Sequence, residues 1–394
     1  MNFMNSKAES EERAERAWAE LDMSALSHNL AVARAACPAQ SLLPVIKANG
    51  YGHGLEAVAS QLMKELQVSE GVGVGVGGLE GVAVAALSEV RRLRKCGVTL
   101  PVVLLPGFVN RDEMEECVRL KVDPVVHSWY QVELLLGAGT GAGAGGGFSR
   151  VWLKANTGMN RLGMNVTEWR AAREALLTAF PQTEIVAMSH LACADDMESL
   201  ATPSQVQRFD SLVPEGDSKP RRTLAASGGI LAWPTTHFDI VRPGIMMYGS
   251  SPLATKSAVE LGLRPVMTLF SRIVAINCVE AGDPVGYGES FVADKPMKIG
   301  IVSIGYGDGY PRQAPSGTPL LVETSSGMKR VRLAGRVSMD MITIDLTDVT
   351  VEVGSVVVLW GQGLPAEEIA GICKTISYEL FCQVTPRVPR ILSN

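Results

Sequence analysis

Apolar, partly β-branched runs alternate with helix-length amphipathic stretches from about residue 42 to about residue 250. Short apolar runs indicate buried strands, and a 3.6-residue period such as that of Leu87–Lys95 or Val166–Ala179 indicates helices. The predicted strands are Leu42–Lys47, Val82–Ala86, Val102–Leu105, Val122–Val126, Val151–Ala155, Glu184–His190, Thr223–Ala226 and Phe238–Arg242. The fourth fits the pattern least, because Asp123 and Pro124 interrupt it. Repeated strand–helix units predict an α/β fold with a parallel sheet, and eight such units predict a closed (β/α)8 TIM-like barrel.

The pattern changes after about residue 258, where strand-like runs are joined by turns of Gly, Pro and Asp. This predicts a C-terminal, mainly β domain over residues 259–394, after a barrel over residues 17–258 and a polar tail over residues 1–16. A strand over residues 17–22 is a candidate for pairing with the second domain. A helix is expected around Leu364–Ile376. The predicted strands of the second domain are Phe270–Asn277, Ile299–Ile304, Pro319–Glu323, Val331–Leu333, Met341–Asp345 and Val356–Trp360.

Two glycine-rich tracts interrupt the pattern, at Gly71–Gly78 and at Gly137–Gly147. The first formally contains GxGxxG, but a dinucleotide fingerprint also needs a preceding strand, a helix that begins inside it and an acidic residue about 20 positions later. Here the tract continues into Leu79 and another strand-like run. We interpret both tracts as lengthened surface loops.

The composition, with 46% hydrophobic and 20% charged residues, is that of an ordinary globular protein. A net charge of -5 argues against a nucleic-acid partner, because phosphate contacts need a basic excess. The segment Met1–Arg16 lacks the apolar core of a secretory signal, and no stretch approaches the roughly 18 apolar residues of a membrane span. The seven scattered cysteines lack CxxC pairs, which favours free thiols in a reducing compartment over disulfides or a zinc site. We therefore expect a cytoplasmic protein without a bound metal.

Lys47 ends the first apolar run and is followed at once by a loop of small and polar residues, Ala48–Gly54. A lysine in a buried strand is costly unless its charge is removed or paired. A Schiff base to a carbonyl cofactor removes the charge, and lysine is the usual nucleophile of that chemistry. The alternative is a strand-end lysine whose ammonium group reaches solvent along its aliphatic stem.

Polar residues also follow other predicted strands. In a (β/α)8 barrel, the residues that end strands and open the following loops face the active site. A single His or Arg is more often structural there, but several such strand ends together favour a site. Cations around one barrel mouth would attract an anionic, phosphorylated ligand, and small residues would let backbone N–H groups reach phosphate oxygens. The strand ends concerned carry Lys47, Lys154 with Arg161, His190, Ser227-Gly228-Gly229 and Arg242-Pro243-Gly244-Ile245.

Seven sequence blocks then occur in order, namely VIKANGYGHG, LKANTGMNRLG, MSHLACADD, VRPGIMMYG, SIGYGDGYPR, AGRVSMDM and TISYELFC with RVPR. Together they resemble the sequences of the bacterial alanine racemase family. Members of this family are fold type III enzymes that depend on pyridoxal 5'-phosphate (PLP). The resemblance covers the chain from about Trp18 to the C-terminus. It implies interconversion of L-alanine and D-alanine by a cytoplasmic homodimer. The D-alanine would serve as a peptidoglycan precursor, with alanine catabolism as the alternative role.

The resemblance also implies roles for individual residues. Lys47 matches the lysine that binds PLP covalently, and Lys47 and Tyr306 match two catalytic bases on opposite faces of the cofactor-bound substrate. The residues that match other cofactor contacts are Tyr51, Arg161, His190, Ser227, Arg242, Gly244, Ile245 and Tyr378. Those that match substrate contacts are Arg161, Met339 and Asp340, and those that match the substrate entrance are Arg336 and Ile376. Lys154 matches a lysine that is often carbamylated, which would turn a repelling cation into an anion bridging to Arg161.

Arg242 matches the arginine that faces the pyridine nitrogen of PLP in this family. Because arginine does not easily give up its proton, it would donate a hydrogen bond and leave that nitrogen unprotonated. His190 matches a histidine that links Tyr306 to Arg242. The tyrosine reaches the site from the partner subunit, so a head-to-tail homodimer with composite sites is implied. One departure is Ala226, where family members usually have Asn before the phosphate-binding serine.

Other PLP enzymes of the same fold type would share the barrel and Lys47. A broad-spectrum amino-acid racemase is one alternative. A basic amino-acid decarboxylase is another, although these enzymes typically place an acidic residue near the pyridine nitrogen, where this chain has Arg242. Non-catalytic PLP-carrier proteins have the barrel alone, and the second domain with Tyr306 distinguishes this chain from them.

Overall fold

The computed structural model describes residues 15–69, 78–137, 147–214 and 216–393. Nearly all of the polar tail and most of both glycine-rich tracts, Gly71–Gly78 and Gly137–Gly147, therefore lie outside the described residues. Within the described ranges, no helix combines the length and the apolar composition that crossing a membrane requires.

Eight parallel strands form a closed barrel in the N-terminal part of the chain. Seven neighbouring pairs follow one another around the sheet, and parallel bridges between Leu42 and Leu79 and between Val45 and Ala83 close the ring. This confirms the predicted (β/α)8 barrel. In chain order the strands are β1 (Ala17–Asp22), which lies outside the barrel, and then β2 (Ser41–Leu42), β3 (Val82–Val84), β4 (Val102–Leu104), β5 (Val122–Val126), β6 (Arg150–Lys154), β7 (Glu184–Met188), β8 (Arg222–Ala226) and β9 (Ile240–Arg242).

Helices follow the barrel strands and cover them on the outside. The two helices predicted from their periodicity, Leu87–Lys95 and Val166–Ala179, are confirmed with the same bounds. The second begins with a capping box. The Asn165 side chain accepts a hydrogen bond from the Glu168 N–H, and the Glu168 side chain accepts one from the Asn165 N–H. The other helices in this part are Met23–Ala36, Leu55–Ser69, Arg111–Arg119, Trp129–Gly137, Ala201–Asp210 and the short Ser227–Ala232.

The strand β5 forms as predicted despite its polar and cyclic residues. Asp123 and Pro124 lie opposite Val103 and Leu104 of β4, and every residue of β5 is buried. The Asp123 carboxylate lies 3.2 Å from Nε of Arg150, at the start of β6. The ion pair offsets only part of the cost of burying the carboxylate, because burial still raises the pKa of Asp123 to about 6.

The predicted strand Leu42–Lys47 is wrong at its C-terminal end. The regular ladder ends with β2, and Pro44 has no N–H to donate to a neighbouring strand. The N–H groups of Leu43 and Val45 still donate to the carbonyl oxygens of Val241 and Pro243. Val45 still forms a single bridge to Ala83. Lys47 then begins a separate turn, Lys47–Tyr51, instead of ending the strand.

The second domain is built on one eight-stranded sheet. The strands after the barrel are β10 (Met267–Val279), β11 (Pro284–Val285), β12 (Phe291–Val292), β13 (Met297–Val302), β14 (Pro319–Thr324), β15 (Gly327–Leu333), β16 (Ile342–Asp345), β17 (Val356–Trp360) and β18 (Arg390–Ser393). The sheet order is β13-β16-β15-β14-β17-β10-β1-β18, and β13 also pairs with β10, so that part of the sheet curls closed. The strand β1 pairs antiparallel with β10 and parallel with β18, which brings both ends of the described chain into this sheet.

The helix expected around Leu364–Ile376 is confirmed over the shorter range Ala366–Ile372, and a separate helix, Ser377–Gln383, follows it. Lys374, between them, has a left-handed φ of 56°, which a continuous right-handed helix does not allow. The break lets the second helix turn toward the barrel. There its residue Phe381 approaches so closely that a Cβ on Gly52 would lie 2.0 Å from the Phe381 carbonyl oxygen.

Asn29 joins the first helix to the segment that leaves the barrel. Its side chain is fully buried, and its Nδ2 donates to the carbonyl oxygens of Met247, at 3.0 Å, and Arg264, at 2.7 Å. The Arg264 N–H donates back to Asn29 Oδ1 at 2.8 Å. One amide therefore satisfies three buried backbone groups.

We expect Asn29→Ala to lower the free energy of unfolding by about 3 kcal/mol, because buried backbone groups lose their partners. Urea denaturation followed by circular dichroism would measure the change. The control is His28→Ala, which removes an exposed hydrogen bond to Gly262 and is expected to cost less than about 1 kcal/mol. Equal effects of the two substitutions would contradict this account of Asn29.

Candidate active site

Lys47 is carried on a left-handed turn at the carboxyl end of the barrel strands. The φ angles of Ala48, Asn49, Gly50 and Tyr51 are 54°, 57°, 63° and 50°. This conformation costs roughly 1–2 kcal/mol for each non-glycine residue. A run of such residues persists only where surrounding contacts hold it, so the directions of the Lys47 and Tyr51 side chains depend on the neighbouring structure.

Arg242, the last residue of β9, is buried among neutral partners. Its guanidinium donates to the Thr223 hydroxyl and to the carbonyl oxygens of Ser189, at 2.7 Å, and Leu224, at 3.0 Å. It also donates to Nδ1 of His190 at 3.2 Å. Burial lowers the pKa of Arg242 to about 10, which still leaves it protonated at neutral pH.

His190 is held neutral by its surroundings. Burial and then the positive charge of Arg242 lower its pKa well below the usual value, and Lys154, Arg161 and Lys47 act in the same direction. Because Nδ1 accepts a hydrogen bond from Arg242, the ring proton is on Nε2. His190 therefore presents an N–H donor from its far side.

Two lysines share this cationic environment. Burial, followed by the charges of Arg242, Arg161 and Lys47, lowers the pKa of Lys154 to about 8. Burial and then Arg161 lower the pKa of Lys47 as well. Both amines therefore lose their protons more readily than an exposed lysine, which makes them better nucleophiles. Lys154, Arg161 and His190 line one depression beside Thr157.

Tyr51, Ser227 and Gly244 form a small cradle next to the cationic cluster. The N–H groups of Gly244 and Met246 lie 2.9 and 3.3 Å from the Ser227 hydroxyl. A Cβ on Gly244 would lie 2.9 Å from the Tyr51 hydroxyl, so a side chain there would fill the space between the two hydroxyls. Ile245, the next residue, is buried. Because both N–H groups donate to Ser227 Oγ, the Ser227 hydroxyl can itself donate toward an oxyanion beside the Tyr51 hydroxyl.

Tyr378 reaches the cradle from the second domain, on the helix Ser377–Gln383. Its ring centroid lies 5.9 Å from that of Tyr51. Burial raises the pKa of Tyr378 to about 12 and also raises that of Tyr51, so both hydroxyls are neutral donors at physiological pH. The cradle is therefore built by both domains of one chain.

Tyr306 lies on the surface of the second domain and is 38% exposed. Its N–H donates to the carbonyl oxygen of Ser338 at 3.1 Å, and the Gly307 N–H donates to that of Met339 at 2.8 Å. The Arg312 guanidinium lies 6.0 Å from its ring centroid. The Gly309 N–H also donates to the Tyr306 carbonyl oxygen at 3.2 Å. All of these contacts come from the second domain, and they bring Tyr306 close to Met339.

The predicted site residues thus fall into two groups. The barrel mouth brings together Lys47, Tyr51, Lys154, Arg161, His190, Ser227, Arg242, Gly244, Ile245 and Tyr378. The second-domain surface carries Tyr306, Met339 and Asp340, with Met339 exposed and Asp340 accepting a hydrogen bond from Arg387 at 2.6 Å. Arg336 and Ile376, expected at the entrance, are both exposed.

Sequence analysis missed three residues that hold these groups in place. Asp308 is fully buried, pairs with Arg16 and Arg387, and accepts a hydrogen bond from the Gly305 N–H at 3.0 Å beside Tyr306. Gln205 donates to the Thr157 hydroxyl and the His190 carbonyl oxygen. Glu89 accepts a hydrogen bond from the Asn49 N–H at 3.0 Å. Asp308 lies in the block SIGYGDGYPR, whereas no local pattern marks Gln205 or Glu89.

Among residues 15–69, 78–137, 147–214 and 216–393, no three His, Cys, Asp or Glu side chains are grouped so that they could hold a metal ion. The cysteines of the described chain are all unpaired.

Comparisons with known proteins agree with this architecture. The family model "Alanine racemase, N-terminal domain" matches residues 21–252, and "Alanine racemase, C-terminal domain" matches residues 266–392. The alanine racemase of Nitrosomonas eutropha is 43% identical over 373 residues, which are 94% of this chain and 97% of that protein. The alanine racemase of Vibrio vulnificus strain CMCP6 is 42% identical over 374 residues, which are 93% of this chain and 96% of that protein.

Solved structures show the same two-domain arrangement. The biosynthetic alanine racemase of Pseudomonas aeruginosa matches with a TM-score of 0.86 and 40% identity over 96% of this chain and 100% of that chain. The alanine racemase of Acinetobacter baumannii matches with a TM-score of 0.86 and 35% identity over 96% of this chain and 99% of that chain. With both family domains matched and relatives above 40% identity over nearly the whole length, the chain belongs to the alanine racemase family of amino-acid isomerases.

Proposed function

We propose that this protein interconverts L-alanine and D-alanine with PLP bound covalently to Lys47. Lys47 and Tyr306 would act as bases on opposite faces of the substrate. The observation that carries the proposal is the barrel mouth, where a primary amine of lowered pKa lies among buried cations and beside an oxyanion cradle. The coarser conclusion, that the chain is a racemase acting on alanine, rests on its family.

The residues of the barrel mouth fit PLP in charge and in hydrogen-bonding groups. The hydroxyls of Tyr51, Ser227 and Tyr378 and the backbone of Gly244 and Ile245 would hold its phosphate group, at a position where Gly244 has no side chain. The surplus of positive charge calls for an anionic ligand. When bound, PLP supplies an electron-accepting ring that lets the α-proton of an amino acid be removed near neutral pH.

Arg242 would donate a hydrogen bond toward the ring nitrogen of the cofactor. Its lowered pKa of about 10 still exceeds neutral pH by far, so it would keep its proton. An arginine donor at this position would leave the ring nitrogen unprotonated, so the cofactor ring would withdraw electrons from the substrate less strongly. This supports racemisation over decarboxylation, because the residue proposed to face the ring nitrogen is an arginine instead of an acidic residue. Arg161 would lie beside the phenolic oxygen of the cofactor.

Racemisation needs a proton acceptor on each face of the substrate carbon. On one face we place the Lys47 amine, whose neutral form is favoured by burial. On the other we place Tyr306, delivered by a partner subunit in a head-to-tail homodimer with shared sites. Nε2–H of His190 would donate to its phenolic oxygen and favour the phenolate. The half-exposed position of Tyr306 on the second domain is consistent with such an approach.

The remaining predicted residues complete the proposed site. Arg161, Met339 and Asp340 would contact the substrate carboxylate, while Arg336 and Ile376 would line its entrance. The D-alanine formed would be a precursor of peptidoglycan. We place the protein in the cytoplasm, where buried thiols such as those of Cys37 and Cys117 remain reduced.

The two-base proposal is tested by complementation. Lys47→Ala should lose both the absorbance band of covalently bound PLP and the racemase activity. Tyr306→Phe should keep that band, but its racemisation rate should fall at least about 100-fold. Mixed dimers of these variants contain one intact composite site, so a random mixture should recover about one quarter of the wild-type rate. Rates of L-to-D and D-to-L conversion measure both effects.

The matched control is Tyr310→Phe, four residues along the chain. The Tyr310 hydroxyl is buried without a hydrogen-bond partner in the described structure, so its removal should leave racemisation unchanged. No recovery in mixtures with verified heterodimers would rule out sites shared between subunits. Full activity of Tyr306→Phe would rule out its role as a base.

Gly244→Ala tests the phosphate cradle. The added methyl group would lie 2.9 Å from the Tyr51 hydroxyl and occupy the space proposed for phosphate. We expect the dissociation constant for PLP, measured by absorbance titration of the cofactor-free protein, to rise at least about tenfold. Gly371→Ala is the control, because its added methyl group has open space. Unchanged PLP affinity of Gly244→Ala would contradict the placement of the phosphate.

We further propose that Lys154 is carbamylated. Its pKa of about 8 leaves part of the amine neutral at physiological pH, and a neutral amine adds CO2 with release of one proton. The resulting anion would pair with Arg161 and replace a repulsion between cations by an attraction. This proposal depends on the burial of Lys154 among the cations of the barrel mouth.

The pH dependence of stability tests this modification. Unmodified Lys154 has a pKa of about 8 in the folded protein and 10.5 in the unfolded chain. Between these two pH values the unfolded chain binds more protons than the folded protein. The contribution of Lys154 to the free energy of unfolding therefore rises with pH in this interval. In CO2-free buffer, urea midpoints should rise with pH more steeply for wild type than for Lys154→Met. Added bicarbonate should remove the difference in slope. The lowered pKa of Lys154 would be contradicted if the urea midpoint changed equally with pH in wild type without CO2, in wild type with bicarbonate and in Lys154→Met.

A further inference from the structure

Glu89 joins the end of a barrel strand to the turn that carries Lys47. It is the third residue of the helix Leu87–Lys95, and only 8% of the residue is exposed. Its Oε1 accepts a hydrogen bond from the Asn49 N–H at 3.0 Å, and its Oε2 accepts one from the Ala85 N–H, also at 3.0 Å. One buried carboxylate therefore holds two backbone segments at a fixed separation.

The left-handed turn leaves the Asn49 N–H in need of such a partner. The Gly50 N–H bonds to the carbonyl oxygen of Ile46, and the Gly52 N–H bonds to that of Ala48, each at 2.9 Å. Those bonds are local to the turn, whereas the Asn49 N–H bonds to Glu89, 40 residues away. Because the left-handed conformation is unfavourable by itself, a long-range bond at its centre helps to maintain it.

We propose that Glu89 is a positioning residue for Lys47, holding the left-handed turn so that the amine faces the barrel mouth. The inference rests on the proposed function, in which Lys47 binds PLP. Glu89 does not itself touch the reacting groups in this proposal. It acts through the backbone of Asn49, two residues after the lysine.

The charge of Glu89 also affects the amine. Burial and the charges of Arg161 and Arg242 lower the pKa of Lys47, while the Glu89 carboxylate and Cys382 raise it. Removal of the carboxylate charge should therefore lower the pKa of Lys47 further. The pH dependence of covalent PLP binding should move to lower pH, which a general loss of stability would not produce.

The chain contains a matched control for this residue. Glu113 is also the third residue of a helix that follows a barrel strand, Arg111–Arg119. Its Oε2 accepts a hydrogen bond from the Val109 N–H at 2.9 Å, in a loop that carries none of the predicted site residues. Glu113→Gln therefore removes a similar loop contact at a distance from the proposed chemistry.

The test compares wild type, Glu89→Gln and Glu113→Gln as cofactor-free proteins titrated with PLP. Covalent binding at Lys47 is followed by absorbance, and its rate is measured from pH 6 to pH 10, about the range in which a perturbed lysine titrates. We expect Glu89→Gln to weaken binding about tenfold and to shift the rate profile to lower pH. Glu113→Gln should change neither quantity. The kcat for racemisation should fall with Glu89→Gln alone.

Glu89→Asp keeps the test decisive if the Gln variant does not fold. Aspartate retains the charge, but its shorter side chain cannot reach both N–H groups, so we expect weaker PLP binding with a wild-type pH profile. Wild-type affinity in the folded Gln or Asp variant would overturn the role of Glu89 alone. An equal loss in Glu113→Gln would also overturn it. A wild-type protein that does not bind PLP at Lys47 would overturn the proposed function together with this inference.

Discussion

Positive charge buried at one end of the barrel is the constraint on which the site depends. Arg242 is surrounded by neutral acceptors, and Lys47, Lys154 and Arg161 lie close enough to shift lysine pKa values downward. Burial of several cations together is costly unless an anion joins them. The same charges that would attract an anionic cofactor therefore also prepare a neutral amine to react with it.

The backbone that presents this amine is held from several directions. The turn after Lys47 is left-handed, and its strain is offset by tertiary contacts instead of by its own sequence. Glu89 bonds to it from the adjacent helix, and Nδ1 of the buried His53 donates to a carbonyl oxygen of the turn at 2.8 Å. Arg390, from the second domain, donates to the next carbonyl oxygen at 3.1 Å. Both domains therefore determine the position of the lysine.

The second domain contributes in two distinct places. Tyr378 enters the barrel mouth of its own chain, whereas Tyr306 lies on an exposed turn supported by the buried Asp308. Arg16, just before β1, pairs with Asp308, so the start of the described chain helps to hold this turn. In the proposed function, the first tyrosine serves its own barrel mouth and the second would serve that of a partner subunit. The proposed reaction therefore draws on both domains of the chain.

The sequence by itself determined the barrel and the second domain, because hydrophobic periodicity and local turn residues express these features directly. The helix Val166–Ala179 and the strand Val122–Val126 illustrate this, since both have the predicted bounds. Only the tertiary structure decided that Lys47 begins a left-handed turn and that Glu89 supports it. Those features depend on hydrogen bonds between segments far apart in the chain, and local patterns carry no record of such contacts.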